Sequence, residues 1–225
     1  MSQDSTLKSN DPLPEAYQVG HVPFLGVTVY LDSHPLIPRT ETEWWTEKVL
    51  VEIKEVSTPR VLDLFSGSGC VGLAVLKHVP DSHVTFGEFD AVHIPTIERN
   101  VRENGIVPTR THIVQTDVYS NIEGTFHFVL ANPPYLSRAR IERIQSSVLE
   151  YEPVGALFAE DDGYALIEAT ILGLPEYLTP AGQCWVEHEP EHESRIAETV
   201  KSLGLSSTTY KDQYGVVRYS VILKP

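Results

Sequence analysis

The sequence predicts an α/β fold built on a seven-stranded, mostly parallel sheet with an antiparallel hairpin at its carboxyl end. From residue 60 onward, short β-rich runs alternate with helical stretches, the pattern of a parallel sheet covered by helices on both faces. At the end, the β-rich runs 206–211 and 216–223 are separated only by a turn at Gln213, Tyr214 and Gly215. That turn is too short for a helical crossover, so the last strand must pair antiparallel. With 225 residues, 41% of them hydrophobic, the chain is long enough to bury one large core without disulfides or metal.

Taken in order, residues 1–19 read as a flexible leader, polar and prolines-interrupted, without periodicity. Residues 20–58 read as a hairpin and a lead-in helix packing on the core. The run 24–31 (FLGVTVYL) is β-rich and is broken by Pro35 and Pro38. Thr40 then opens a helix to about residue 55, with Glu43 three residues on in a capping-box pattern. Residues 59–225 form the third unit. Its strands are RVLDLF from 60, VTFGEF from 84, HIVQTD from 112, HFVLA running into Asn132, and QCWVEHE from 183. Between them lie helices ending near 78 and 104, an arginine-rich helix, and a helix over 162–177. A further helix ends near 203.

Charge excludes one broad class of function. Lys and Arg number 17 against 31 Asp and Glu, a net of −14, which repels a polyanion and argues against general nucleic-acid coating. Twelve acids stand against Arg195 alone over residues 148–200, while the remainder is near balance at 19 against 16. Cys70 and Cys184 are too far apart for a zinc knuckle and too few for a secreted disulfide framework, so a reducing cytoplasm is the expected compartment. No apolar run approaches the ~20 residues of a membrane span. His188 and His192, at i and i+4 across a proline, suggest no third metal ligand, and no metal is expected.

Asp63, Leu64, Phe65, Ser66, Gly67, Ser68 and Gly69 end the first strand of the alternating region, where glycine lets the backbone approach a ligand. Gly67, Gly69 and Gly72 also satisfy the G-x-G-x-x-G dinucleotide pattern. Yet Asp63, four residues before the first glycine, places a carboxylate where a cationic group is welcome. S-adenosylmethionine has an α-ammonium and no pyrophosphate, and is preferred on that ground over a nicotinamide dinucleotide. Glu88, ending the next strand, is spaced to accept both ribose hydroxyls, with Asp90 the competitor or else a helix cap. Asp117 and the Val118 backbone fall beside the expected adenine edge, unless Asp117 only forms a turn.

Asn132, Pro133, Pro134 and Tyr135 follow the fourth strand at the ligand-binding edge of the sheet. The two prolines lack N–H groups and cannot continue the ladder. The Asn132 side-chain oxygen and the Pro133 carbonyl then make two acceptors suited to a planar NH₂, and Tyr135 offers a stacking face. An amide nitrogen is a poor nucleophile because its lone pair is delocalised. Two accepted hydrogen bonds favour its pyramidal form and aim the lone pair, and alignment supplies the acceleration without a general base.

This arrangement is similar to the class I methyltransferases, with their Rossmann-like sheet. Several segments together resemble the release-factor glutamine methyltransferases (HemK type) from about residue 20 to the end: LIPRTETE at 36–43, the glycine loop, NPPY, EYEP at 150–153, Ala156-Leu157 and Asp162-Gly163. The resemblance implies S-adenosylmethionine-dependent methylation of the glutamine amide in the Gly-Gly-Gln loop of a peptide-chain release factor. It carries Gly67, Gly69, Glu88, Val118 and Asn132 over as donor contacts and Asn132 to Tyr135 as the substrate clamp.

Departures from the family are visible. Only about twenty residues precede the matching region, where the family commonly has a helical domain gripping the release factor, so an accessory partner is a candidate replacement. Phe65 stands where the family often has glycine, Val118 where it often has an aromatic, and Thr40 where it often has proline while keeping the capping role. Two alternatives stay open: methylation of an exocyclic amine in ribosomal RNA, and a catalytically silent partner module. Arg138, Arg140 and Arg143 are placed to form a basic lip or a solvated helix face, and Trp44 and Trp45 are read as packing. The expected assembly is a monomer.

Overall fold

A computed structural model describes residues 12–225. The chain enters through a short helix α1 (Glu15–Val19) and a hairpin of β1 (His21–Phe24) and β2 (Val27–Tyr30), followed by helix α2 (Thr40–Lys54). Leu25 and Gly26 turn the hairpin with φ of 42° and 79°, the left-handed pair that suits the twist of a two-residue turn. The expected leader over 1–19 lies in part outside the described residues, and its last five do not behave as one. Tyr17 is buried, its ring stacks 4.4 Å from that of His34, and its hydroxyl donates to the Pro35 carbonyl at 2.6 Å.

The capping box expected at Thr40 does not form. Arg39 holds the N-cap position without a side-chain cap, and Thr40 Oγ1 instead bonds Glu41 and Tyr214. Glu43 Oε1 accepts from Leu25 N at 2.7 Å, so its carboxylate ties α2 to the hairpin turn rather than to its own helix end.

The main sheet uses β3 (Arg60–Leu64), β4 (His83–Glu88), β5 (Thr111–Gln115), β6 (Phe126–Ala131), β7 (Leu178–Glu187), β8 (Ser206–Lys211) and β9 (Val217–Leu223). Their order is β5-β4-β3-β6-β7-β9-β8, parallel through β7 and antiparallel at β7–β9 and β8–β9. The chain runs outward from β3 to β5, then returns to lay β6 on the other side of β3. Loops leaving β3 and β6 therefore diverge, and the crevice between them is where open α/β sheets bind ligands. Leu64 pairs with Ala131, so the two strands end side by side and bring the glycine loop next to Asn132.

Strand alternation separates the two faces. Val61 joins a core with Phe24, Trp45, Leu73 and Phe86 under α2, α3 (Cys70–His78) and α4 (Ile94–Glu103), while Leu62 and Leu64 join Ile167, Ile171 and Ile196 under α7 (Ala165–Tyr177) and α8 (Glu193–Ser202). Asp63 shares the side of Val61 and so faces α3. Buried Asn100 of α4 binds Tyr30 N and O and donates to Ser68 O at 2.8 Å, which fastens the β1–β2 hairpin to the glycine loop. The arginine-rich segment is a kinked 3-10 stretch over Arg138–Arg143 rather than a regular helix, followed by the short helices α5 (Ser146–Tyr151) and α6 (Val154–Leu157). Among the described residues no helix is long and apolar enough to cross a membrane.

Candidate active site

The loop after β3 is held from beneath by its own side chains. Ser66 Oγ donates to Asp63 O at 2.7 Å and its N–H to Gly87 O at 3.1 Å, which pins the loop to the neighbouring strand. Gly67 N donates to Glu88 Oε2 at 2.7 Å, and Gly69 opens α3 at φ +80°. Asp63 Oδ2 accepts from Gly72 N at 2.9 Å. A Cβ on Gly72 would stand 2.3 Å from the Phe86 ring, so that glycine serves the packing of α3 on β4. Phe65 and Val118 take φ of +58° and +50°, a region costly to residues with a Cβ and especially to a β-branched one. A glycine at 65 would meet that requirement without strain.

Above the loop lies a cavity of about 390 Å³, within the ~300–1,000 Å³ of small-molecule sites. Of the sequence-derived candidates, Phe65, Gly67, Glu88, Asp117, Val118, Asn132 and Pro134 form its wall. Asp63, Ser66, Ser68 and Gly69 stand behind that wall as the loop's support. Phe89 and His93, not singled out from the sequence, also line it, as does Leu36 of the LIPRTETE segment. Asp90 caps the following 3-10 turn by accepting from Val92 N and lines the cavity as well, so both roles weighed for it are open to it. Asp117 makes a turn with Ser120, whose hydroxyl accepts from Asp117 N.

Beside this cavity is a narrower cleft of about 90 Å³, lined by Leu36, Arg39, Pro133, Tyr135, Val148 and others, with Asn132 on the boundary common to both. Arg39 is held there by buried Glu152, whose Oε1 accepts from Arg39 at 2.6 Å and whose Oε2 accepts from Ile37 N at 3.1 Å. This joins the LIPRTETE and EYEP segments across the cleft. Gly163 packs against the backbone of the NPPY loop: a Cβ there would sit 2.1 Å from the Tyr135 carbonyl.

Tyr135 lines the cleft, but its hydroxyl is committed elsewhere, donating to Glu187 Oε1 at 2.8 Å. Glu187, at the end of β7, is buried and also accepts from Thr42 Oγ1 and Trp45 Nε1, each at 2.7 Å. Burial pushes its carboxyl above the usual range, opposed by these donors and by the nearby Arg218 charge. Asn132 Nδ2 donates to the same Thr42 hydroxyl at 3.2 Å. Trp45 is thus packing and hydrogen-bond donor together. No local pattern signals this cluster, because its members come from three separate elements and a loop.

Electrostatics decide what the larger cavity can hold. Glu88, Asp90 and Asp117 line it, and no Lys or Arg does among the described residues. Such a wall repels a pyrophosphate and suits a cationic ligand carrying a diol and an amine-bearing base. The residues present fit S-adenosylmethionine. The basic-lip expectation meets a different arrangement: Arg140 pairs with Asp162 and Glu189, Arg143 with Glu191, and Arg138 lies 4.8 Å over the Phe158 ring. His188 lies between Glu189 O and Ser220 Oγ, with burial lowering it to about 4, and among the described residues no group of three candidate ligands is placed to hold a metal ion.

Comparison with known proteins gives consistent results. Residues 45–150 match the Methyltransferase small domain family. The chain is 30% identical over 205 residues to the release factor glutamine methyltransferase of Rhodopirellula baltica, covering 88% of this chain and 68% of that protein. It is 31% identical over 210 residues to the enzyme of the same name from Bordetella pertussis, covering 92% and 76%. Among solved structures it resembles the hMettl16 catalytic domain in complex with an RNA hairpin at TM-score 0.70 and 14% identity, over 89% of this chain and 76% of that one. The 16S rRNA N2 G1207 methyltransferase of Thermus thermophilus, in complex with AdoMet and guanosine, gives 0.62 at 16% identity, over 91% and 50%. At these identities the structural likenesses establish the fold.

Proposed function

The chain belongs to the release factor glutamine methyltransferase family, and from that premise we propose that it methylates the side-chain amide nitrogen of the glutamine in the Gly-Gly-Gln loop of a peptide-chain release factor. It is an S-adenosylmethionine-dependent N-methyltransferase. The observation that carries the substrate reading is the position of Asn132 on the boundary between the 390 Å³ cavity and the 90 Å³ cleft, where a donor on one side and a side-chain amide on the other would meet.

In this reading Gly67, Glu88, Asp117 and Val118 hold the donor, and Asp63 behind the loop, its carboxyl pushed up to about 8 by burial, turns negative when the donor's α-ammonium draws it into the ionised form. S-adenosylmethionine, when bound, supplies a methyl group on a sulfonium, an electrophile that needs no further activation. Asn132 Oδ1 and the Pro133 carbonyl accept the two protons of the target amide and draw its nitrogen toward the pyramidal form. Neither titratable side chain on the cleft wall serves as a base. Arg39 is ion-paired, and the Tyr135 phenol, held well above its ordinary range by burial and by Glu187, is already a donor to that carboxylate. The surplus proton therefore passes to water.

A protein substrate is supported over RNA by the pairing of Arg140 and Arg143 with acidic side chains rather than with open solvent. The reading includes a cytoplasmic monomer, supported as to compartment by two free, buried cysteines. Incubation with S-adenosylmethionine and purified release factor, followed by peptide mass mapping, tests the proposal. A single added methyl on the Gly-Gly-Gln glutamine is expected. An unmodified release factor alongside a methylated RNA would overturn it.

A further inference from the structure

An acceptor clamp at Asn132 needs its amide oxygen, not its nitrogen, turned to the target. A side-chain amide is nearly symmetric in shape, so the choice must come from what surrounds it. Here Asn132 Nδ2 lies 3.2 Å from Thr42 Oγ1, and Thr42 Oγ1 lies 2.7 Å from Glu187 Oε2. The Thr42 hydroxyl has one proton. Glu187 also faces Trp45 Nε1, which can only donate, on the same oxygen, and Tyr135 OH on the other, with the Arg218 charge nearby. A carboxylate met by donors on both oxygens takes the Thr42 proton. Thr42 then has only lone pairs to offer Asn132, and only the NH₂ end of the amide can meet them. Among the described residues no hydrogen bond engages Asn132 Oδ1.

We propose that Thr42 and Glu187 are positioning residues that orient the Asn132 side-chain amide with its oxygen toward the substrate cleft, through the chain Asn132 Nδ2–H to Thr42 Oγ1–H to the Glu187 carboxylate. The inference rests on the clamp reading of Asn132 given above. It assigns Thr42 and Glu187 a part in turnover although neither lines the larger cavity or the cleft. Thr42 is 2% exposed and Glu187 1% exposed, so their effect on substrate passes through Asn132.

The test is a double-mutant cycle of Thr42→Val with Asn132→Ala, using full-length release factor as substrate, with Thr42→Ser as the conservative control. In the wild-type background Thr42→Val is expected to lower kcat at least tenfold while KM for release factor and the affinity for S-adenosylhomocysteine change by no more than twofold. Thr42→Ser keeps the hydroxyl and is expected to retain most of the rate. In the Asn132→Ala background Thr42→Val is expected to cost nothing further, an outcome that general damage to the fold would not give. Equal, additive losses in both backgrounds would overturn the proposal. A wild-type enzyme inactive on release factor would instead sink the substrate reading. The orientation is then read without substrate, from the Asn132 side-chain amide resonance in ¹⁵N spectra: Thr42→Val should shift it and speed its proton exchange, and an unmoved resonance would refute the hydrogen-bond chain.

Discussion

Gly67 and Glu88 are joined by a 2.7 Å hydrogen bond from the glycine N–H to Oε2, while Oε1 of the same carboxylate accepts from Asp90 N at 2.9 Å. One side chain therefore shapes the loops after both β3 and β4 and still borders the donor cavity with its remaining lone pairs. Glu88→Ala should weaken donor binding both by removing an acceptor for the ribose hydroxyls and by freeing the Gly67 loop. Hydrogen bonds to a charged group contribute about 1.5–3 kcal/mol each, so a loss of roughly 10- to 150-fold in affinity is expected by calorimetry with S-adenosylhomocysteine. Asp90→Ala should cost much less. If the two variants exchanged these effects, the ribose contact would belong to Asp90.

Asn132→Ala should fall mainly on the rate. An acceptor that engages the target most strongly as its nitrogen becomes tetrahedral appears in kcat rather than in substrate affinity. By analogy with the removal of one oxyanion-hole donor, about 10²–10³-fold in kcat is expected. Asn132→Asp keeps an oxygen but loses the donor that faces Thr42, placing two acceptors against each other. It is therefore expected to be nearly as poor as alanine. Comparable turnover in wild type and Asn132→Ala, with unchanged circular dichroism, would remove the clamp from the mechanism.

The parts of the site readable in the sequence are those whose chemistry demands particular backbone behaviour at adjacent positions. Gly67 and Gly69 need positive φ, Pro133 and Pro134 end a ladder, and Glu88 closes a strand of recognisable pattern. What sequence reasoning missed depends on residues far apart in the chain. Glu187 collects Thr42, Trp45 and Tyr135 from α2 and the loop after β6, and nothing local to any of them signals the meeting. Tyr135 was expected to offer only a face because its hydroxyl partner lies 52 residues away. Likewise the Thr40 capping box follows the local rule, and the hairpin wins because Glu43 finds an unpaired N–H at Leu25.

Val118 offers a test of strain beside the donor cavity. Its φ of +50° is unfavourable for a β-branched residue, and asparagine tolerates that region far better. Val118→Asn should stabilise the protein by about 1 kcal/mol, the lower end of the cost of such a conformation. If the base edge is met by the backbone at 118, donor affinity should stay within a few-fold of wild type. Chemical denaturation and calorimetry check the two halves separately, and a destabilised variant would show that packing of the valine outweighs its strain.

Asp63 links the site to pH. Burial, partly offset by the Gly72 N–H and reinforced by the Glu88 charge, pushes its carboxyl up to about 8 from an ordinary 3.8. In the folded protein the group keeps its proton to about pH 8, whereas in the unfolded chain it has lost it above pH 4. Across that window the folded state binds more protons than the unfolded state, so this group's contribution to stability is fully present below pH 4 and is lost as pH rises through 8. Asp63→Asn cannot ionise and its amide oxygen can still accept from Gly72 N. The variant should therefore match wild type near pH 4 and become progressively more stable than it toward pH 8, as read from denaturant midpoints at several pH values. The donor's α-ammonium favours the ionised form, so donor affinity in wild type should rise over the same window with release of a proton, and Asp63→Asn should abolish that linkage. Calorimetry in buffers of different ionisation enthalpy measures the proton directly. Parallel stability profiles for the two proteins, together with no proton release on binding, would show that Asp63 is ionised throughout and that its hydrogen bond to Gly72 outweighs its burial.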